Sequence, residues 1–206
     1  MKKNPVPLLI VIILCSVLGF VVENLFTLFR DGYINNRGMI LPALLGYGIA
    51  IAGFYIIMGT PQSPLLLGKA TTFKSKWTGY AYYYLVTAVL ISIGETVLGT
   101  VVEIECHLIW WTYEDLPLHL GRYTSVPTSL AFAAIIFLFM RFIFPAVFEW
   151  ASSPHSPRMN ALIYLIAVFL LFDFIHSAIY MVLNNDVFRM WNRIISVSLP
   201  HDDFEI

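Results

Sequence analysis

Five apolar stretches, each close to the roughly 20 residues a helix needs to cross a bilayer, govern what this chain can become. They lie at about residues 6–29, 39–58, 77–103, 125–147 and 159–183. Mean hydropathy of +0.77, with 12% charged residues, excludes a soluble domain of ordinary composition. The expected fold is an all-α, polytopic membrane helix bundle with five transmembrane helices, forming one integral membrane domain over residues 1–206. A net charge of -1 without a basic run speaks against a nucleic-acid partner and leaves the lipid bilayer as the first partner. Lys2 and Lys3 precede an apolar run, as in a signal peptide. That run continues to Phe29 without a small-residue cleavage site, so it reads as a retained span. Cys15 and Cys106 read as buried thiols rather than a disulfide.

With five spans, one side of the membrane carries Lys2, Lys3, Lys69, Lys74, Lys76, Arg141 and Arg158. The other carries Arg30, Arg37, Arg122, Arg189 and Arg193. Every lysine falls on the first side, which places the N-terminus in the cytoplasm by the positive-inside bias. The "NNRG" and "WWTYED" loops then face outward.

A carboxylate at membrane depth costs several kcal/mol unless it is paired, protonated or reached by water. Glu23, Glu95, Asp173 and His176 all fall in the second half of spans that run in the same direction. At about 1.5 Å per residue they sit at comparable heights, so adjacent odd-numbered spans would line one outer-half pocket. Glu95, Gly99 and Glu103 recur at intervals of four on one helix face, and His107 continues it. Gly99 invites close approach between the two carboxylates. Glu103 and His107 read equally as an interfacial pair in water.

Asp173 and His176 form a D-x-x-H pair that suits a proton relay or two metal ligands, or an Asp that locks two helices together. No motif fixes a metal geometry, and no cofactor is expected. Trp110, Trp111 and Tyr113 read either as an interfacial aromatic belt or as the wall of a ligand entrance completed by Arg122. Arg37 would contact a ligand, or neutralise Glu23 or Glu103. The second span holds Pro42, Gly46, Gly48 and Gly53. These breakers imply a kinked or locally unwound helix, with the Tyr47–Gly48 step beside the pocket, or close packing through glycine.

The ordered set "GFVVE" (Gly19 to Glu23), "NNRG" (Asn35 to Gly38), Pro42 with Tyr47–Gly48, "ETVLGTVVE" (Glu95 to Glu103), "WWTY" (Trp110 to Tyr113) and "LGR" (Leu120 to Arg122) resembles the type IV ABC-transporter, or CmpB-like, family of bacterial membrane proteins. The chain departs from that pattern at Phe20, Leu45, Thr112 and His119, where the family usually has Trp, Pro, Asp and Asn. Glu114 and Asp115 stand close enough to replace the acid missing at Thr112. The resemblance implies a permease-type protein of the bacterial plasma membrane. No G-x-x-x-x-G-K-[ST] motif is present, so ATP-driven transport would need a separate ATPase subunit. Five helices are few for a complete translocation path, which makes a homo-oligomer or larger partner an expectation.

Three functions follow. In the first, a permease-like protein binds a polar or ionic solute through Glu23, Arg37, Glu95, Glu103, Trp110, Trp111, Tyr113 and Arg122. In the second, an intramembrane enzyme acts on a lipid-linked substrate, with a carboxylate or the Asp173–His176 pair as general acid or base. The third is a structural or regulatory subunit whose charged pairs only lock the bundle.

Overall fold

A computed structural model describes residues 4–194. Lys2, Lys3 and the side chain of Arg30 lie outside the described residues. Among the described residues, four helical segments are long and apolar enough to cross a membrane: Val6–Phe29, Lys76–Cys106, Val126–Ala151 and Pro157–Asn184. The first belongs to α1 (Val6–Asp31) and the second is α3 (Lys76–Cys106). The third comprises α4 (Val126–Leu138), a π-helical turn at Phe139–Ile143 and α5 (Phe144–Ala151), and the fourth is α6 (Pro157–Asn184).

Helix starts are written locally. Ser75, Ser125 and Ser156 cap α3, α4 and α6 by accepting the N–H three residues on, and Pro127 and Pro157 occupy first turns, where a missing N–H costs nothing. Gly32, His107 and Asn185 end α1, α3 and α6 in the left-handed conformation.

The expected second span is corrected. Its helix, α2 (Leu45–Met58), has 14 residues. That is about 21 Å, against roughly 30 Å of hydrocarbon. Residues 39–44 descend beside α1 without helical structure. Pro42 has no N–H to give, and the preceding amides are taken elsewhere: Ile40 and Leu41 donate to the two oxygens of Asp173, at 2.8 Å each. Leu44 N–H donates to the carbonyl of Ser16, 2.8 Å away. A non-helical backbone at this depth is tolerable because protein groups satisfy it.

Helices α1, α3 and α6 run in one direction, and α2 and α4–α5 return. Val6 and Ile10 of α1 pack with Ala151 and Ile163 at the end where α1 starts, here called proximal. Val102 and Cys106 of α3 meet Met181 of α6 at the opposite, distal end. The principal core lies between, where Val11 and Cys15 meet Met58, Tyr83, Met140 and Phe144. β2 (Gly59–Thr60), β3 (Ser63–Leu66) and β4 (Lys69–Ala70) form a small antiparallel sheet at the proximal end. β1 (Tyr33–Asn35) pairs antiparallel with β5 (Asn192–Ile194) at the distal end.

The π turn has a chemical cause. Pro145 cannot donate to the carbonyl of Arg141, four residues back, and the widened turn makes room for its ring. Gln62 Nε2 takes the freed carbonyl at 2.6 Å, which ties the proximal sheet to this helix.

Candidate functional site: three carboxylate clusters at the distal half

Glu23 projects from α1 beside Gly19. It accepts from Arg37 Nη2 at 2.7 Å and from the hydroxyl of Tyr47, whose ring lies over Gly19. Asn24, one residue on, accepts from the backbone N–H of Asn35 at 2.8 Å, and Asn35 Oδ1 in turn accepts from Arg37 N–H at 2.8 Å. Buried Asn36 donates to the carbonyls of Met39 and Phe188. The "NNRG" stretch is therefore a hydrogen-bonded turn that delivers Arg37, at φ 51, back to α1.

The second cluster repeats these parts on α3. Glu103 accepts from Arg122 Nη1 and, at 2.6 Å, from the hydroxyl of Tyr123, and the Tyr123 ring lies over Gly99. Glu114 accepts from Arg122 Nε at 3.3 Å. Trp111 Nε1 donates to the Tyr123 carbonyl at 2.9 Å and its ring meets Tyr123 edge-on, while Trp110 stays 42% exposed. Of the two tryptophans, Trp111 braces the Arg122–Tyr123 segment and Trp110 faces outward.

Glu95 has a different environment. Its carboxylate accepts from Thr124 Oγ1 at 3.0 Å and from the Tyr113 hydroxyl at 3.4 Å. Thr124, 2% exposed, continues to Ser129 and from there to Ser92. Arg37 and Arg122 are committed to Glu23, Glu103 and Glu114, and among the described residues no cation stands within ion-pair distance of Glu95. The Tyr113 phenol is pushed up to about 12, by burial first, then by Glu95 and more weakly by Glu23. Arg122 is raised, first by hydrogen bonding to Tyr123 and then by its two carboxylates.

Asp173 and His176 keep separate company. Asp173, 3% exposed, spends both oxygens on the backbone of residues 40 and 41, and Ser177 donates to the carbonyl of Gly38. His176 stacks edge-on against Phe188, its Nδ1 buried without a hydrogen-bond partner. His107 is the left-handed cap of α3. Among the described residues, no three His, Cys, Asp or Glu side chains gather to hold a metal ion.

Tyr123, Thr124, Ser129 and Ser92 escape a reading based on charge. The available signal was position: Tyr123 and Thr124 directly follow Arg122, and Ser92 lies one turn before Glu95. Two clefts of about 600 and 520 Å³ lie at the proximal end, against the small sheet and away from the three distal carboxylate clusters.

No curated protein and no solved structure matches this chain. A family model described as "Putative ABC-transporter type IV" (CmpB) matches residues 10–178, which is most of the chain, and the protein belongs to that family.

Proposed function

We propose that this protein is a permease-like component of the bacterial plasma membrane that binds a polar or ionic solute in its outer half. Membership of an ABC-transporter family and four apolar helices of crossing length support transport across a membrane. The observation that carries the site is the gathering of Glu23 of α1 with Glu95 and Glu103 of α3 in the distal half, where they accept from the hydroxyls of Tyr47, Tyr113 and Tyr123 in turn. Glu23, Glu95 and Glu103 form the polar core, and Arg37 and Arg122 balance it. Trp110, Trp111 and Tyr113 frame the entrance. The chain carries no nucleotide-binding loop, so energy from ATP would come through a separate ATPase subunit, and a homo-oligomer would widen the translocation path. One membrane domain with a cytoplasmic N-terminus completes the reading.

Glu95→Gln keeps the size and hydrogen-bonding capacity of the side chain but removes its charge. In proteoliposomes screened with small cationic, anionic and zwitterionic solutes, the native protein should carry one class, and Glu95→Gln should slow that flux at least about tenfold. Flux that is indifferent to Glu95→Gln would remove this residue from the path. A lipid covalently changed by the detergent-solubilised protein would instead assign an enzyme.

A further inference from the structure

The heptad Val17-Leu18-Gly19-Phe20-Val21-Val22-Glu23 recurs as Val97-Leu98-Gly99-Thr100-Val101-Val102-Glu103, differing only at Phe20 against Thr100. After each heptad comes an arginine and, five residues later, a proline preceded by an aliphatic residue and followed three on by leucine. These are Arg37, Leu41, Pro42 and Leu45 in one case and Arg122, Val126, Pro127 and Leu130 in the other.

The geometry repeats with the sequence. α1 and α3 both run from proximal to distal. Each ends in a left-handed cap, and the chain then dips back along the helix it has left. The helix that follows starts well below the distal end. Leu44, just before α2, bonds the carbonyl of Ser16, while Ser129 in the first turn of α4 bonds Ser92. Both contacts lie about 20 Å short of the ends of α1 and α3. In each case the heptad glycine is covered by a tyrosine ring, and the heptad glutamate accepts from that tyrosine and from the arginine.

We infer that α1–α2 and α3–α5 are a tandem duplication of one unit, a helix followed by a dipping segment and a second helix, with α6 outside the repeat. The two Tyr–Glu–Arg clusters are its equivalent latches, each fastening its own segment to its own first helix. Parallel first helices mean the copies are related by rotation about an axis along the bundle, the arrangement of parallel-repeat transporters. The tyrosines occupy different chain positions: Tyr47 follows its proline and Tyr123 precedes its own. The glycine, glutamate and arginine of the latch thus correspond by alignment, and the tyrosine by geometry alone.

The duplication also separates two kinds of acid. Position 95 corresponds to Cys15 in the first copy, where the latch forms without a carboxylate at that height. Glu95 is thus no part of the latch. This inference stands whatever the solute.

Hydrogen exchange on the full chain in nanodiscs tests it, read separately over residues 33–44 and 112–125. Glu23→Gln should accelerate exchange about fivefold over 33–44 and leave 112–125 unchanged, and Glu103→Gln should do the converse. Each should lower the unfolding midpoint by about 2–6 °C. The charge-exchanged pairs Glu23→Arg with Arg37→Glu, and Glu103→Arg with Arg122→Glu, should recover at least half of each loss. Where a charge variant gives no monodisperse protein, Tyr47→Phe and Tyr123→Phe remove only the hydroxyl donor, and matched local accelerations are expected. Loosening of both segments by one substitution, or a response in only one copy, overturns the equivalence.

Discussion

Tyr113 ties its connecting segment to α3 through the carboxylate of Glu95. Its phenol rises from 10.0 to about 12 because burial and two nearby carboxylates each oppose the tyrosinate. A raised pKa means that the folded protein holds this proton more tightly than the unfolded chain does. The resulting stabilisation is present in full below about pH 10 and is lost as pH rises through about 12. The native-minus-Tyr113→Phe difference spectrum should therefore show one tyrosinate appearing near pH 12, with the unfolding midpoint of the native protein falling more steeply than that of the variant between pH 10 and 12. A difference titration centred near 10 would mean that neither burial nor the two carboxylates act on this hydroxyl. Asp173 carries a related lesson. Its acidity was legible as a polar group at depth, whereas its role as acceptor for two backbone amides was not, because those amides lie at the far end of the sequence.

At the scale of elements, the uninterrupted spans were legible because apolar length alone decides them. Residues 39–44 were not, since Met39, Ile40, Leu41, Pro42 and Ala43 are as apolar as any helix and differ only in where their amides find acceptors. The surplus of glycine was the visible trace of this, and the structure separates its uses. A Cβ at Gly48 would strike the carbonyl of Ile12 in the backbone of α1, which cannot swing aside. At Gly19 and Gly99 it would strike the rings of Tyr47 and Tyr123, and at Gly46, Gly53 and Gly94 it would meet nothing within 4 Å. Alanine substitutions should therefore rank by obstacle. Gly48→Ala should cost the most, at about 2–4 kcal/mol from forced separation of α1 and α2. Gly19→Ala and Gly99→Ala should cost about 1–3 kcal/mol and release the tyrosine latches. Gly46→Ala, Gly53→Ala and Gly94→Ala should be neutral or stabilising by up to about 1 kcal/mol through helix propensity. Thermal unfolding in one detergent gives the ranking, and a Gly48→Ala protein as stable as Gly53→Ala would refute the close contact between α1 and α2.

For the whole molecule, the question is how many times the chain crosses. α2 is too short to span alone, yet residues 39–44 descend from the distal end to its first turn. We propose that segment and helix together make one passage, which would give the described chain five. Arg37 and Arg122 lie on the distal side, and Lys69, Lys74 and Lys76 on the proximal side, beside the small sheet. In the proposed orientation, charge bias turns the proximal end toward the cytoplasm. Native Cys15 and Cys106 are 6% and 5% exposed and should stay silent to a bulky, membrane-impermeant maleimide. Single cysteines at Lys74, Glu114 and Ser153 should report sidedness in intact cells. Glu114→Cys should label at once, whereas Lys74→Cys and Ser153→Cys should label only after permeabilisation. If α2 instead turned back without completing a passage, a cysteine at Tyr33, just past α1, would label on the same side as Lys74→Cys and Ser153→Cys and opposite Glu114→Cys, whereas five passes put it with Glu114→Cys. That pattern would replace a five-pass bundle with a four-pass one and would move the Glu95 cluster to the other leaflet relative to Glu23.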